Sequence, residues 1–482
     1  MRNKKLVSIA LAGMMAVSLA ACGGSGDSQT QAPAAEGGKE AGGETQKAGA
    51  APESSGEKTV ITVWSMDRHD SEYVEAKIKE FNETNDKGIE IVMNIITDDY
   101  ANMMALAFSS GTAPDIAGVG GATSGFDLKT FVEAGIIDPL NDYITDPEFE
   151  KVTEASRLQF EGINMISGNV YWIPTGMRSG TRIEYNKELV EKAGYTEFPQ
   201  TLDEVIELAD KITKDGGGTY YGVGFTQSVP LNRWLEATAE TSGIYRYDFT
   251  TGTFNFDGYK PLIEKANKFF TNGSVFPGST SQGVDAMRAQ FAEGTFGIWG
   301  NASQEAGVFT SQFPIDKFEW GVAEVPTLDG TRKGAETIQP QKGYMMFSSS
   351  KNKDKAWEVI KFFSSEDFLK GYLEAGLYLP ISNYMDGLID KSKTGRLADF
   401  QLTDYESVYP AVPAISLEGD DYGTVLWRAI MGDISADEAI ADLNKRYNDA
   451  LENDIKLGKI KRVVIKDFDP MRPNEGTIEY TD

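Results

Sequence analysis

The sequence predicts an α/β protein, and three observations carry that prediction. Short apolar segments of strand length alternate with stripes at helical spacing, capping signals mark later helices, and residues 59–482 are long enough for two or more cores. Val60-Ile-Thr-Val-Trp64 is apolar on both faces, as in a covered sheet. A helix follows with Val74, Ile78 and Phe81 on one stripe, then a strand at Ile89–Ile96, a helix at Ala101–Ser110, and a third strand opening at Pro114-Asp-Ile116. That alternation predicts mainly parallel sheets with flanking helices. Thr201-Leu-Asp-Glu204 and Ser435-Ala-Asp-Glu438 match the capping box, in which hydroxyl and carboxylate each satisfy a free amide of the first turn. Behind them lie Val205, Ile206, Ala209 and Ile212, and Ile440, Leu443 and Tyr447; a further helix carries Ala356, Val359, Ile360 and Phe363.

The amino-terminal region reads differently. Arg2, Lys4 and Lys5 precede an apolar run from Leu6 to Ala21, and the single cysteine of the chain stands in Leu19-Ala20-Ala21-Cys22. This arrangement resembles a bacterial lipoprotein signal, and the run is too short for a membrane span of about 20 apolar residues. Residues 1–21 are therefore expected to be a signal peptide, with Cys22 carrying lipid and anchoring the chain at the extracytoplasmic face of the cell membrane. Residues 23–58 hold no aromatic or β-branched aliphatic residue. Such a composition cannot offset its ordering entropy, so residues 22–58 are expected to form a lipidated, disordered tether.

Composition excludes several classes. A formal charge of −27 makes phosphate backbones and anionic headgroups poor partners, which rules against nucleic acid. With His69 as the only histidine, no histidine-ligated zinc site is expected and a Ser-His-Asp triad would have to use that residue. His69 is read as a solvated loop residue. Neither a phosphate-binding loop of the G-x-x-x-x-G-K-[ST] type nor a G-x-S-x-G elbow occurs. Gly118-Val-Gly-Gly-Ala-Thr123 begins like a dinucleotide fingerprint, but Thr123 replaces the third glycine; main chain passing close to a ligand is the better functional reading, and a plain turn the structural one. No cofactor and no metal are expected.

Six further segments carry a resemblance across residues 59–482. They are Ile61-Thr-Val-Trp64 with Phe81-Asn82, Ser110-Gly-Thr-Ala-Pro-Asp-Ile116, Val170-Tyr-Trp-Ile-Pro174 with Tyr185-Asn-Lys-Glu-Leu189, Phe291-Ala-Glu-Gly-Thr295, Trp320-Gly-Val-Ala-Glu-Val-Pro326, and Lys355-Ala-Trp-Glu-Val-Ile-Lys-Phe-Phe363. In this order, behind a lipobox, they resemble the extracellular solute-binding proteins of carbohydrate ABC importers, the maltose-binding-protein-like family 1. The resemblance implies a two-lobed periplasmic-binding-protein-like fold of type II, with a hinge that the chain crosses near Pro174–Arg182, near Gln339–Tyr344 and within Ser382–Ala398. It implies a first lobe of 59–176 plus 340–385, a second of 177–339 plus 386–482, and a ligand between them. The loops depart from the family pattern, including Gly118–Thr123 and Met177–Gly180.

Carried over by position, the candidate ligand-binding residues are Met66, Asp67, Arg68, Gly121, Thr123, Arg178, Ser179, Gln227, Trp234, Trp299, Asn301, Lys342, Asp421 and Tyr422. A pyranose offers apolar faces and a rim of hydroxyls, so aromatic platforms with planar polar groups suit it. Trp234, flanked by Asn232 and Arg233, is the expected platform; Trp299 reads equally as platform or core. The expected function is capture of a mono- or oligosaccharide and its delivery to membrane permease subunits, without catalysis and as a monomer. The alternatives are a receptor for a non-sugar solute such as a polyol phosphate, and a lipid-anchored glycoside-processing enzyme using acids such as Asp67, Asp420 and Asp421.

Overall fold

The computed structural model of the chain describes residues 58–120, 126–226 and 231–482. Cys22, Gly121, Thr123 and Gln227 lie outside the described residues. Nine strands build the two main sheets. In chain order they are β1 (Thr59–Ser65), β2 (Ile89–Ile95), β3 (Ile116–Val119), β4 (Ile137–Asp138), β5 (Arg182–Asn186), β6 (Tyr221–Val223), β7 (Phe296–Asn301), β8 (Trp320–Glu324) and β9 (Gly343–Phe347).

The first sheet has the order β2-β1-β3-β9-β4 and the second β8-β5-β7-β6. β1 pairs in parallel with β2 and β3, and β6 with β7. β9 runs antiparallel to β3 and β4, and β5 antiparallel to β7 and β8. The sheets are thus mixed, where the opening strand-helix alternation alone predicts parallel pairing. That alternation fixes direction only for strands joined by a local crossover helix. β9 joins the first sheet after the chain has built β5–β8 in the second, so no local crossover sets its direction.

Side-chain alternation covers both faces of the first sheet. Ile61, Val63, Ile116, Tyr344 and Met346 face one cluster with Val74, Ile78, Trp357 and Phe363. Ala117, Val119, Met345 and Phe347 face another with Tyr100, Met104, Phe131 and Trp172. Val74 and Ile78 are buried as their spacing predicts, each worth about 1.5–3 kcal/mol by transfer. Phe81 is half-buried and packs on Phe362 with ring centroids 4.5 Å apart. In the second lobe, helices Leu202–Gly216, Lys260–Thr271, Tyr422–Met431 and Ala436–Lys456 contribute to one core with Ile183, Val223 and Ile298. Ser435 and Glu438 form the complete capping box. Thr201 forms half of one: its hydroxyl accepts from the Glu204 N–H and donates to the Glu204 carboxylate at 2.7 Å instead of leaving that carboxylate to a backbone amide.

Between the sheets three segments run side by side. Gly176–Met177 pairs antiparallel with Pro340–Gln341, and Met177 exchanges both backbone hydrogen bonds with Leu379 at 2.8 and 2.9 Å. Gly176 permits this approach, since a Cβ there would stand 2.9 Å from the Tyr378 Cβ. Among the described residues no helix is long and apolar enough to cross a membrane.

Candidate functional site

A cavity of about 690 Å³ opens beside the first two of these segments. Gly120 after β3, Trp172, Arg178–Thr181, Arg233, Glu236 and Ala237, Tyr245–Tyr247, Glu336–Gln339, Gln341 and Tyr409 contribute to its wall. The volume falls within the range of small-molecule sites. Gly120 is required at the rim: a Cβ would lie 2.9 Å from Gln341 Oε1 and 3.2 Å from the Lys342 amide nitrogen.

Beside the cavity, the loop after β1 and the segment entering β9 are tied by an ion cluster. Lys342 Nζ donates to Asp67 at 3.1 Å and to Asp70 at 2.5 Å, and Asp70 also accepts from Tyr372 Oη at 2.6 Å. Burial pulls the lysine pKa down, yet Tyr344, Tyr372, Asp67 and Asp70 together overcome it and raise it well above the usual value. Burial likewise opposes ionisation of Asp67, and the Lys342 ammonium prevails, holding that carboxyl below its ordinary range. His69 packs on Tyr378 at 5.4 Å and lies 3.9 Å from Asp67, with burial pushing its imidazole pKa down. It is an exposed loop residue outside the cavity wall, as its reading in the sequence has it, with one ring face resting on Tyr378.

A second buried cluster lies on the other wall. Arg182 pairs with Glu406 at 2.8 Å, both out of solvent. Glu406 also accepts from the Gly180 N–H, and neighbouring Glu336 accepts from the Thr181 N–H. Burial, aided by the adjacent Glu406, pushes Glu336 up to about 7. Burial and the proximity of Glu236 push Glu240 up to about 8, against hydrogen bonds of 2.7 Å from Thr337 N–H and Oγ1. Arg246 donates to Tyr422 Oη at 2.8 Å and stands 3.6 Å from Glu236.

Of the residues singled out in sequence, Arg178, Ser179 and Tyr422 come together on the cavity wall. The Ser179 hydroxyl is already engaged: it donates to Gly180 O at 2.8 Å and accepts from the Ser303 N–H at 3.1 Å. Met66, Asp67 and Arg68 do not line the cavity: Met66 packs beside the first-lobe core, Asp67 is held by Lys342, and Arg68 is exposed. Lys342 itself is committed to the ion cluster.

The expectation for Trp234 is corrected. It is 6% exposed, with its ring edge-on to Phe225 and Phe269 in the second-lobe core. Its neighbour Arg233 faces the cavity instead, because successive residues of a helical turn point in different directions. Trp299 is 2% exposed and belongs to the core with Phe296 and Trp320, which settles its two readings in favour of core. Asn301 is buried and spends its amide on Glu305 at 2.7 Å and its carbonyl on Gln304 at 2.7 Å. Asp421 caps the helix Tyr422–Met431 by accepting from the Thr424 N–H at 2.7 Å, with its side chain outside the cavity.

Sequence reasoning missed Trp172, Arg233, Glu236, Glu240, Tyr245, Arg246, Glu336 and Tyr409. Only Trp172, in the Val170–Pro174 segment, and Arg233, beside Trp234, stand in stretches that drew attention.

Comparison with known proteins agrees with this architecture. The sequence profile described as bacterial extracellular solute-binding protein matches residues 67–370. A binding protein of Brucella abortus is 27% identical over 319 residues, covering 64% of this chain and 72% of its own. The maltotriose-binding protein of Pyrococcus abyssi is 27% identical over 288 residues, 59% of this chain and 58% of its own. The GacH receptor of Streptomyces glaucescens, whose structures include complexes with acarbose and an acarbose homologue, superposes with a TM-score of 0.63 at 18% identity, covering 82% of this chain and 99% of that one. At that identity the likeness establishes the fold.

Proposed function

Because the chain belongs to the bacterial extracellular solute-binding proteins, we propose that it captures a mono- or oligosaccharide between its lobes and hands it to the membrane subunits of an ABC importer. The observation that carries this reading is the cavity of about 690 Å³ beside the first two crossing segments, walled by aromatic rings and by planar polar groups. Aromatic faces suit the apolar faces of a sugar, and guanidinium and carboxamide groups suit its hydroxyl rim. The sugar named for the Pyrococcus relative supports the ligand class.

The lobes run over 59–176 with 340–385 and over 177–339 with 386–482, so three crossings form the hinge. Closure about that hinge captures the ligand, no bond is made or broken, and the protein acts as a monomer. Lipid on Cys22 and a tether of residues 23–58 hold it at the extracytoplasmic face of the membrane.

Thermal-shift screening of residues 59–482 against neutral and acidic saccharides tests the reading. A dose-dependent rise in melting temperature with one sugar series, together with a smaller radius of gyration by small-angle scattering, is the expected result. Absence of a shift across the panel, or turnover of a glycoside, would refute it. Cys22→Ser should move the full chain from the membrane to the aqueous fraction by removing the acyl anchor.

A further inference from the structure

The chain carries 73 acidic and 46 basic residues, so an arginine without an acidic partner is unexpected. Among the described residues, every arginine except Arg68, Arg178 and Arg233 has a carboxylate oxygen within 4.0 Å. Arg68 is exposed on a loop. The other two open on the same cavity from opposite chain segments, one from the first crossing and one from the turn before Trp234.

Their surroundings leave the guanidinium forks largely unused. Arg178 makes one long hydrogen bond, 3.3 Å to Tyr378 Oη, and stacks over that ring at 5.2 Å. Its carboxylate neighbour Asp67 is beyond ion-pair distance and already bonded to Lys342. Arg233 donates no hydrogen bond to any described residue. The carboxyls acting on it, Glu336, Glu184 and Glu305, all lie beyond ion-pair distance, and the Arg178 charge repels it. The acids on the cavity wall have partners other than these arginines: Asp127 caps a helix at Thr130, Glu236 accepts from Tyr259, Glu240 from Thr337 and Glu336 from Thr181, with one oxygen each of Glu236 and Glu336 left without a partner among the described residues. The third cavity arginine, Arg246, is satisfied by Tyr422 and Glu236.

Two partly desolvated guanidinium groups that repel each other across one cavity are a cost that a bound anion removes. A planar fork accepts a carboxylate or a phosphate ester bidentately, and such charge-assisted bonds are about twice as strong as neutral ones. We propose that Arg178 and Arg233 form an anion subsite in the cleft, and that the saccharide taken up carries an acidic group, a uronate carboxylate or a phosphate or sulfate ester. This inference rests on the saccharide reading above.

The experiment is calorimetric titration of the full chain with matched pairs of di- and trisaccharides of the same linkage. Each pair sets a neutral sugar against its uronic-acid counterpart, with a sugar phosphate and inorganic phosphate as separate arms. The acidic member should bind about tenfold tighter or more, equivalent to about 1.4 kcal/mol, and its advantage should shrink as salt is raised. R178Q and R233Q, checked for an unchanged cooperative melt, should lower affinity for the acidic member at least about tenfold more than for the neutral one. R178K, which keeps charge but not the fork, should fall between. Preference for the uronate or for the sugar phosphate identifies which anion the subsite takes. Equal or tighter binding of the neutral member, with both substitutions weakening the two alike, overturns the anion subsite and leaves the saccharide reading standing. No binding in either series, or binding of inorganic phosphate alone, overturns both.

Discussion

Trp234 lies so close to Gly300 of β7 that a Cβ on the glycine would sit 2.5 Å from the indole Nε1. The ring therefore packs on bare backbone, filling the space between β7 and the helices of the second lobe. Trp234→Ala should lower stability by about 3–5 kcal/mol, as expected for loss of a buried aromatic ring. Gly300→Ala should cost about 1–3 kcal/mol by overpacking the same contact. Denaturant melts of the two variants check this. A Trp234→Ala protein that melts like the parent but binds ligand weakly would return the ring to the cleft.

That pair also marks the boundary of what the sequence conveys. β1, the helix carrying Val74 and Ile78, and the Ser435 cap are local: their periodicity or capping chemistry is complete within about a dozen residues, and the structure has them. Trp234 and Arg233 differ by one position, yet one enters the core and the other the cleft. The phase of a short turn is set by what it packs on, here Phe225 nearby and Gly300 and Phe269, which are distant in sequence. Glu240 and Glu336 were invisible for the same reason. Nothing near either residue in sequence shows that folding will bury its carboxyl among other acids. Lys342 was singled out in the sequence as a ligand contact, but the ion cluster it joins was not legible, because Asp67 and Asp70 reach it from the loop after β1.

Lys342 bridges the carboxylates of Asp67 and Asp70, and its backbone adopts the left-handed region at φ 53°. Removing it strands Asp70, whose side chain is 2% exposed. Lys342→Met should cost about 3–5 kcal/mol, the loss typical of an uncompensated buried charge. Adding Asp70→Asn to Lys342→Met should recover part of it, since the coupled pair is then removed together. Additive losses in that cycle would show that the two groups do not interact.

Glu240 and Glu336 give stability a pH dependence of definite sign. Both hold a proton in the folded chain, to about 8 and about 7, that an unfolded glutamate releases near 4.5. Their contribution is complete below about pH 4.5 and is lost as pH rises through about 7 and then about 8. His69, with its pKa lowered by burial, acts in the opposite sense near its ordinary value of 6.5. Comparison of Glu240→Gln with the parent cancels that term. The melting temperature of the parent should fall relative to the variant between about pH 4.5 and 8 and level off above that. Parallel curves over that interval would refute a raised Glu240.

Gly180 stands where the first crossing meets Glu336, and a Cβ there would lie 2.5 Å from the Glu336 Oε2. The carboxyl cannot simply retreat. Glu336 is 3% exposed, accepts from the Thr181 N–H, and shares its surroundings with Glu406 and Arg182. Gly180 also donates its own N–H to Glu406, so a shift of this backbone disturbs both acids at once. Gly180→Ala should therefore cost about 1–3 kcal/mol of stability from overpacking. It should also weaken ligand binding, since Arg178 and Ser179 precede it on the cavity wall. Gly307 provides the control: it is exposed in a short helix, and a Cβ there meets nothing within 4 Å. Gly307→Ala should be neutral or stabilising by about 0.5–1 kcal/mol, because alanine restricts the unfolded chain and suits a helix better. Calorimetric melts and ligand titrations of the two variants together decide the matter. Equal behaviour of Gly180→Ala and Gly307→Ala would show that the crossing tolerates a side chain and that the Glu336 contact exerts no steric demand.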